Sequence, residues 1–167
     1  MKNKLNIRDI AVFGMLGALM FASKLLMDVL PNIHLIGVFT VAITAVYRRR
    51  ALFPLYIFIF LTGLYGGFST WWIPYLYIWT VLWGAVMLLP KKAHPAFYVI
   101  VCSLHGFLYG TLYAPVQAII YGFSFKATLS WIAAGLWFDF IHGVSNLIAG
   151  ALLIYPLIKV LKKLEKK

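Results

Sequence analysis

An all-α integral membrane protein of six transmembrane helices, with both termini cytoplasmic, is the fold class this sequence predicts. Two observations predict it. Apolar residues make up 63% of the chain and charged residues only 11%, against soluble averages of roughly 45–50% and 25%. The basic residues also fall in short clusters between apolar runs: Lys2, Lys4 and Arg8, then Arg48 to Arg50, then Lys91 and Lys92, then Lys159 through Lys167. Alternate connections nearly lack them. Cytoplasmic loops carry such a bias, so the clusters orient the chain.

About 20 apolar residues cross a bilayer. Counting outward from each cluster places span 1 at 9–29, span 2 at 33–47, span 3 at 51–67 and span 4 at 72–89. Span 5 covers 96–115 with a possible tail to Gly122, and span 6 covers 139–158. The segment 131–138 is left as either a further turn of span 6 or an outer surface segment. Span 2 is short, which suggests little tilt or a thinned bilayer. The connections at 31–32, 67–74 and 122–128 face outward, with Lys126 their one base. The first apolar run lacks a small-residue cleavage site and is expected to remain as a span.

The whole chain, 1–167, is expected to form a single six-helix membrane domain. The formal charge of +11 does not imply nucleic acid, because the bases lie between apolar runs rather than along one amphipathic stripe. Cys102 is alone, so no disulfide framework is expected. Small residues recur four apart at Gly14, Ala18 and Ala22, at Gly63 and Gly67, and at Gly106 and Gly110, a spacing that lets helix backbones approach closely in lipid. The halves do not resemble each other, which argues against an inverted-repeat carrier.

Polar groups in hydrocarbon are costly, so their positions are informative. Most fall in the outer parts of the spans and in the outer connections: Lys24 and Asp28, Asn32 and His34, Trp71, Trp72 and Tyr75, then Tyr109, Thr111, Tyr113 and Gln117. Asp139, His142 and Asn146 follow at i, i+3, i+7, on one helix face. These groups converge on a pocket open to the outside. Each has a plainer reading. Lys24 and Asp28, four apart, can neutralise one another. Trp71, Trp72 and Tyr75 can form an interfacial belt. His105 reads as an interior histidine, and Trp79 and Trp83 as packing. Hydrolase, zinc-peptidase and phosphate-loop motifs are absent from the sequence. A metal site is not expected from four scattered histidines, and no cofactor is expected.

The outer Leu-Pro-Asn-Ile-His-Leu connection (Leu30–Leu35), the small-residue first helix and Phe-Asp-Phe-Ile-His-Gly-Val-Ser-Asn (Phe138–Asn146) resemble the substrate-binding S component of energy-coupling factor transporters. The resemblance covers essentially the whole chain. It implies a subunit in a prokaryotic cell membrane that captures a vitamin or related micronutrient from outside. It also implies docking onto a transmembrane coupling subunit carried by two ATPase subunits, with Ala18 and Ala22 matching the small-residue docking motif and Gly14 extending it. The N-terminal Met-His of the nickel and cobalt members is missing, since the chain begins Met1-Lys2. Aromatic content near the outer face favours a flat heterocycle. The expected solute contacts are Asn32, His34, Trp71, Trp72, Tyr75, Tyr113, Gln117, Asp139, His142 and Asn146. Two other readings compete: an intramembrane enzyme, or a solitary proton-coupled carrier, each using Asp139 and His142.

Overall fold

The computed structural model describes residues 5–166, with the side chain of residue 166 excepted. Seven helices follow in order, and no strand occurs among the described residues. Helix α1 (Ile7–Met27) starts on a capping box: the Asn6 side chain accepts the Asp9 amide hydrogen at 2.7 Å, and the Asp9 carboxylate accepts that of Asn6 at 3.2 Å. Two otherwise orphaned donors are satisfied this way.

Helix α2 (Ile36–Tyr47) is buried along all of its 12 residues. Val38, Val41 and Ala42 have no exposed surface, and α1, α4, α5 and α7 enclose them. His34 therefore lies in the α1–α2 connection, outside the helix. Arg48 ends α2 with a positive φ of 52°. Its guanidinium reaches the carbonyls of Met87 at 2.7 Å and Leu89 at 3.3 Å. That arginine thus satisfies free carbonyls at the end of α4.

A 3₁₀ turn (Arg48–Ala51) leads into α3 (Leu52–Gly66), and α4 follows (Tyr75–Leu88). Helices α5 (Pro95–Phe107) and α6 (Tyr109–Tyr121) are two pieces of one rod, interrupted only at Leu108. Gly122, at φ +64°, ends α6 in the left-handed conformation that glycine adopts freely. Helix α7 (Phe125–Lys166) has 42 residues and is about 63 Å long at 1.5 Å per residue. Residues 131–138 accordingly belong to this helix, which also continues past 158.

Helices α5 and α7 run antiparallel in close contact. A Cβ on Gly106 would lie 2.9 Å from the Gly143 backbone, and one on Gly143 would overlap the Phe107 ring. Gly17 faces α3 in the same way, against Ile57 and the Pro54 carbonyl. By contrast, Gly67 lies outside α3 at φ +84°, so it closes the helix rather than packing against another.

The outer surface is apolar. Met15, Leu19, Phe60, Leu64, Ile100, Leu104 and Leu152 are all exposed, an extent of apolar surface that water tolerates poorly and lipid accommodates. Three segments are long and apolar enough to cross a membrane: Ile7–Met27, Pro95–Tyr121 and Phe125–Glu165. Helices α2, α3 and α4, at 12, 15 and 14 residues, are about 18–22 Å long, short of the ~30 Å of hydrocarbon. Of the six spans the sequence predicts, three thus fall on segments of crossing length and three on shorter helices.

Candidate functional site

At the end of the bundle opposite the Arg48–Arg50 turn, the chain encloses a cavity of about 290 Å³. Helix α1 contributes Lys24 and Asp28, and the α1–α2 connection contributes Asn32 and His34. Trp71 from the α3–α4 connection, Tyr75 from α4, and Tyr109 and Tyr113 from α6 complete the wall. The side chains arrive here because three helix termini meet: the end of α1, the start of α4 and the start of α6. Asn32 adopts φ 58°, a left-handed conformation that asparagine tolerates better than most residues. Its carbonyl lies 3.4 Å from the Ser145 hydroxyl, which fixes the connection against α7.

Lys24 and Asp28 pair at 2.7 Å on the rim. Below them the walls are aromatic. Tyr75 packs edge-on against Trp71 and Trp79, with ring centroids 5.6 and 6.0 Å apart. The His34 ring meets His142 at 4.6 Å and Trp79 at 5.7 Å, while Tyr109 meets His142 at 4.9 Å. His34 and Tyr109 thus form a floor, with His142 and Trp79 directly behind it. Burial holds the His34 imidazole well below its ordinary value, at about 4, and the Lys24 charge pushes the same way.

The floor and the layer behind it hold several buried polar atoms without a hydrogen-bond partner in the chain. Among them are His34 Nδ1, His142 Nε2 and Trp79 Nε1. Leaving a buried donor or acceptor unpaired costs about 1–3 kcal/mol, so three such atoms around one ring cluster are an unusual concentration. His105 is half satisfied: its Nε2 lies 3.0 Å from the Ile78 carbonyl, which makes that nitrogen the donor. Its Nδ1 has no partner.

The three polar residues on one face of α7 do different things. Asp139 accepts the Gly110 amide hydrogen at 2.8 Å, and Asn146 donates to the Cys102 carbonyl at 3.2 Å. His142, between them, packs against the cavity floor. The face therefore does not open as a unit into the cavity, as its spacing suggested. Two further expected residues stand outside the cavity wall. Trp72 donates its indole N–H to the Ile59 carbonyl at 2.8 Å and packs on Phe68, so it anchors the α3–α4 connection to α3. Gln117 lies one turn past Tyr113 and is not part of the cavity wall. Lys24, Asp28 and Tyr109 line the cavity beside the expected residues, and Trp79 stands behind its floor.

Helix α6 is tied to its neighbours beside the cavity. The Tyr113 hydroxyl donates to the Trp71 carbonyl, and the Tyr77 hydroxyl donates to the Leu112 carbonyl. The Thr70 and Tyr121 hydroxyls are 3.3 Å apart, and Tyr113 stacks on Trp131 of α7. Helix α6 and the α3–α4 connection are thereby tied to each other across the cavity.

A second cleft, of about 300 Å³, lies at the other end and is lined by Arg8, Asp9, Arg50 and Glu165. Arg50 pairs with Asp9 at 3.2 Å and with Glu165 at 3.8 Å. These charges largely cancel, and the cleft joins the start of α1 to the end of α7. Among the described residues, no group of three or more His, Cys, Asp or Glu side chains converges to hold a metal.

The small residues of α1 divide into two sets. Gly17 is buried against α3, whereas Ala18 and Ala22 are exposed and a Cβ on Gly14 would meet nothing within 4 Å. Comparison with known families, with curated proteins and with solved structures gave no match for this chain.

Proposed function

We propose that this chain is a membrane-embedded, solute-binding subunit that captures a small heterocyclic compound, a vitamin or its precursor, from outside the cell. One observation carries the reading: the aromatic cavity beside Lys24 and Asp28 lies directly above a layer of buried imidazole and indole nitrogens that have no partner in the chain. Concave, mostly apolar sites with a few convergent polar groups are the usual form of a small-molecule pocket. Aromatic faces enclose a flat ring, and Lys24, Asp28 and Asn32 in the cavity wall can meet its donors and acceptors.

In the proposed arrangement α1, α2, α3, α4, the α5–α6 rod and α7 make six crossings of a prokaryotic plasma membrane. Both termini face the cytoplasm, as the positions of the basic clusters suggest. The short helices α2 to α4 cross within a bundle whose longer members meet the bilayer. Uptake then requires a transmembrane coupling subunit and two ATPase subunits, consistent with the resemblance to energy-coupling factor S components. The open stripe of Gly14, Ala18 and Ala22 is the proposed docking face. Neither the enzyme nor the proton-coupled carrier gains from the geometry, because Asp139 is directed to Gly110 and not to His142.

The test is mass spectrometry of whatever co-purifies with the chain, followed by titration of that compound against tryptophan fluorescence. A heterocycle bound by wild type and lost on Tyr109→Ala, with the melting temperature retained, supports the reading. Chemical turnover of the compound by the isolated chain, or uptake without ATPase partners, overturns it.

A further inference from the structure

The cations at the cytoplasmic-cluster end of the molecule fall into two groups. The first is consumed by the fold: Arg48 on the carbonyls ending α4, Arg50 on Asp9 and Glu165, and Arg8 on the Leu164 carbonyl. The second consists of Arg49 and lysines that make no ion pair among the described residues. Three of these, Lys91, Lys92 and Lys162, line one cavity of about 220 Å³, together with Tyr98, Tyr155 and Ile158. No carboxylate lines it.

We propose that this cavity binds the phosphate of an anionic phospholipid. The α4–α5 turn supplies Lys91 and Lys92, and α7 supplies Lys162 from the opposite side. The first turn of α5 begins at the same place, with Pro95 in the cavity wall, and a helix N-terminus favours negative charge. Lys159 lies close by, held 4.3 Å over the Tyr155 ring, and the cavity lining carries positive charge alone. Basic pockets between membrane helices on the cytoplasmic side suit such head groups. The apolar surroundings favour a lipid over a free anion. Phe97, Ile100 and Leu104 on α5, and Leu152 and Tyr155 on α7, are exposed beside the cavity or further along the same two helices, where acyl chains would run. This inference rests on the proposed membrane placement and is independent of the solute.

The experiment uses the full chain in neutral detergent, with lipid retention read by native mass spectrometry and stability by thermal melt. The probes are phosphatidylglycerol, phosphatidylcholine and glycerol phosphate. The expected result is that phosphatidylglycerol binds and raises the melting temperature, while the other two do neither. The triple variant K91Q/K92Q/K162Q should lower phosphatidylglycerol affinity roughly tenfold to a hundredfold, given the strength of lysine attraction to anionic lipid. The control R49Q/K126Q/K163Q removes the same charge elsewhere and should retain binding. Equal loss in the control overturns the proposal in favour of diffuse attraction. Equal binding of phosphatidylcholine, or equal protection by glycerol phosphate, overturns it too. A loss of solute binding in wild type, with lipid retention unchanged, counts against the solute pocket alone.

Discussion

The Asp139 carboxylate of α7 accepts the backbone amide hydrogen of Gly110 at 2.8 Å, so one helix supplies the N-terminal cap of another. Helix α6 has no side-chain cap of its own, since Leu108 occupies that position. Its first amides are exposed by the interruption at Leu108, and an Asp139 carboxyl oxygen meets that of Gly110 at the positive end of the helix. The half-helix that carries Tyr109 and Tyr113 to the cavity is thus positioned from across the bundle.

Asp139→Ala should therefore lower stability by about 0.5–2 kcal/mol, the range for a lost N-cap. Asp139→Asn, which keeps an acceptor, should cost less. The check is a melting curve for each variant together with hydrogen exchange at Gly110. Exchange there should accelerate in the alanine variant, and unchanged exchange would remove Asp139 from its capping role.

Substitutions along α1 should separate packing from docking. Gly17→Ala places a methyl 2.5 Å from Ile57 and 2.9 Å from the Pro54 carbonyl, and overpacking of this kind costs about 1–3 kcal/mol. Ala18→Leu and Ala22→Leu extend into open space and should leave both melting temperature and solute affinity near wild type. In cells containing the partner subunits they should abolish uptake. Normal uptake by both leucine variants would dismiss the stripe as a docking face.

Tyr113→Phe removes the hydroxyl that ties α6 to the Trp71 carbonyl. A neutral hydrogen bond contributes about 0.5–1.5 kcal/mol net, so α6 should be held less firmly at the cavity and solute should dissociate roughly two- to tenfold faster. Stopped-flow fluorescence measures this directly. A slower or unchanged rate would mean that the bond does not restrain α6 at the cavity.

How much of this was legible in the sequence differs between fold and site. The helices were readable because apolar runs and basic clusters alternate on the scale of a bilayer. The interruption at Leu108 was not, because Gly106 and Gly110 signal close packing and a helix break equally well. Asp139, His142 and Asn146 were correctly read as one helical face. Their separate uses were hidden, because α5 and α6 pass antiparallel to α7 and present a different partner to each turn: an amide end, a ring cluster and a carbonyl. Lys24 and Asp28 were readable as a pair from their spacing. That the pair stands at a cavity rim depends on where α1 ends relative to α4 and α6, which no local pattern encodes. The bond from Trp72 to the Ile59 carbonyl was not legible, because an indole looks the same in sequence whether it faces a solute or a neighbouring carbonyl.

Stability should also depend on pH through His34. Its folded value of about 4 lies below the ordinary 6.5, so between these values the folded chain holds fewer protons than the unfolded one. Stability contributed by the neutral ring is complete above pH 6.5 and declines as pH falls toward 4. His34→Gln should flatten that decline in a series of melting curves across the window. Parallel curves for wild type and variant would show that some other group controls it.

Helix α2 raises a question of biogenesis. A segment of 12 residues, walled in by its neighbours along its whole length, offers an insertion machinery little more than half of the ~20 apolar residues that a free-standing crossing needs. It gains nothing from contact with lipid, because it touches almost none in the finished protein. If α2 crosses the bilayer as proposed, its passage is a folding event more than a partitioning event, coupled to the arrival of α4 and α7. During synthesis the ribosome must make most of the chain before α2 has its final surroundings, and a truncated nascent chain would leave the centre of the molecule without its walls.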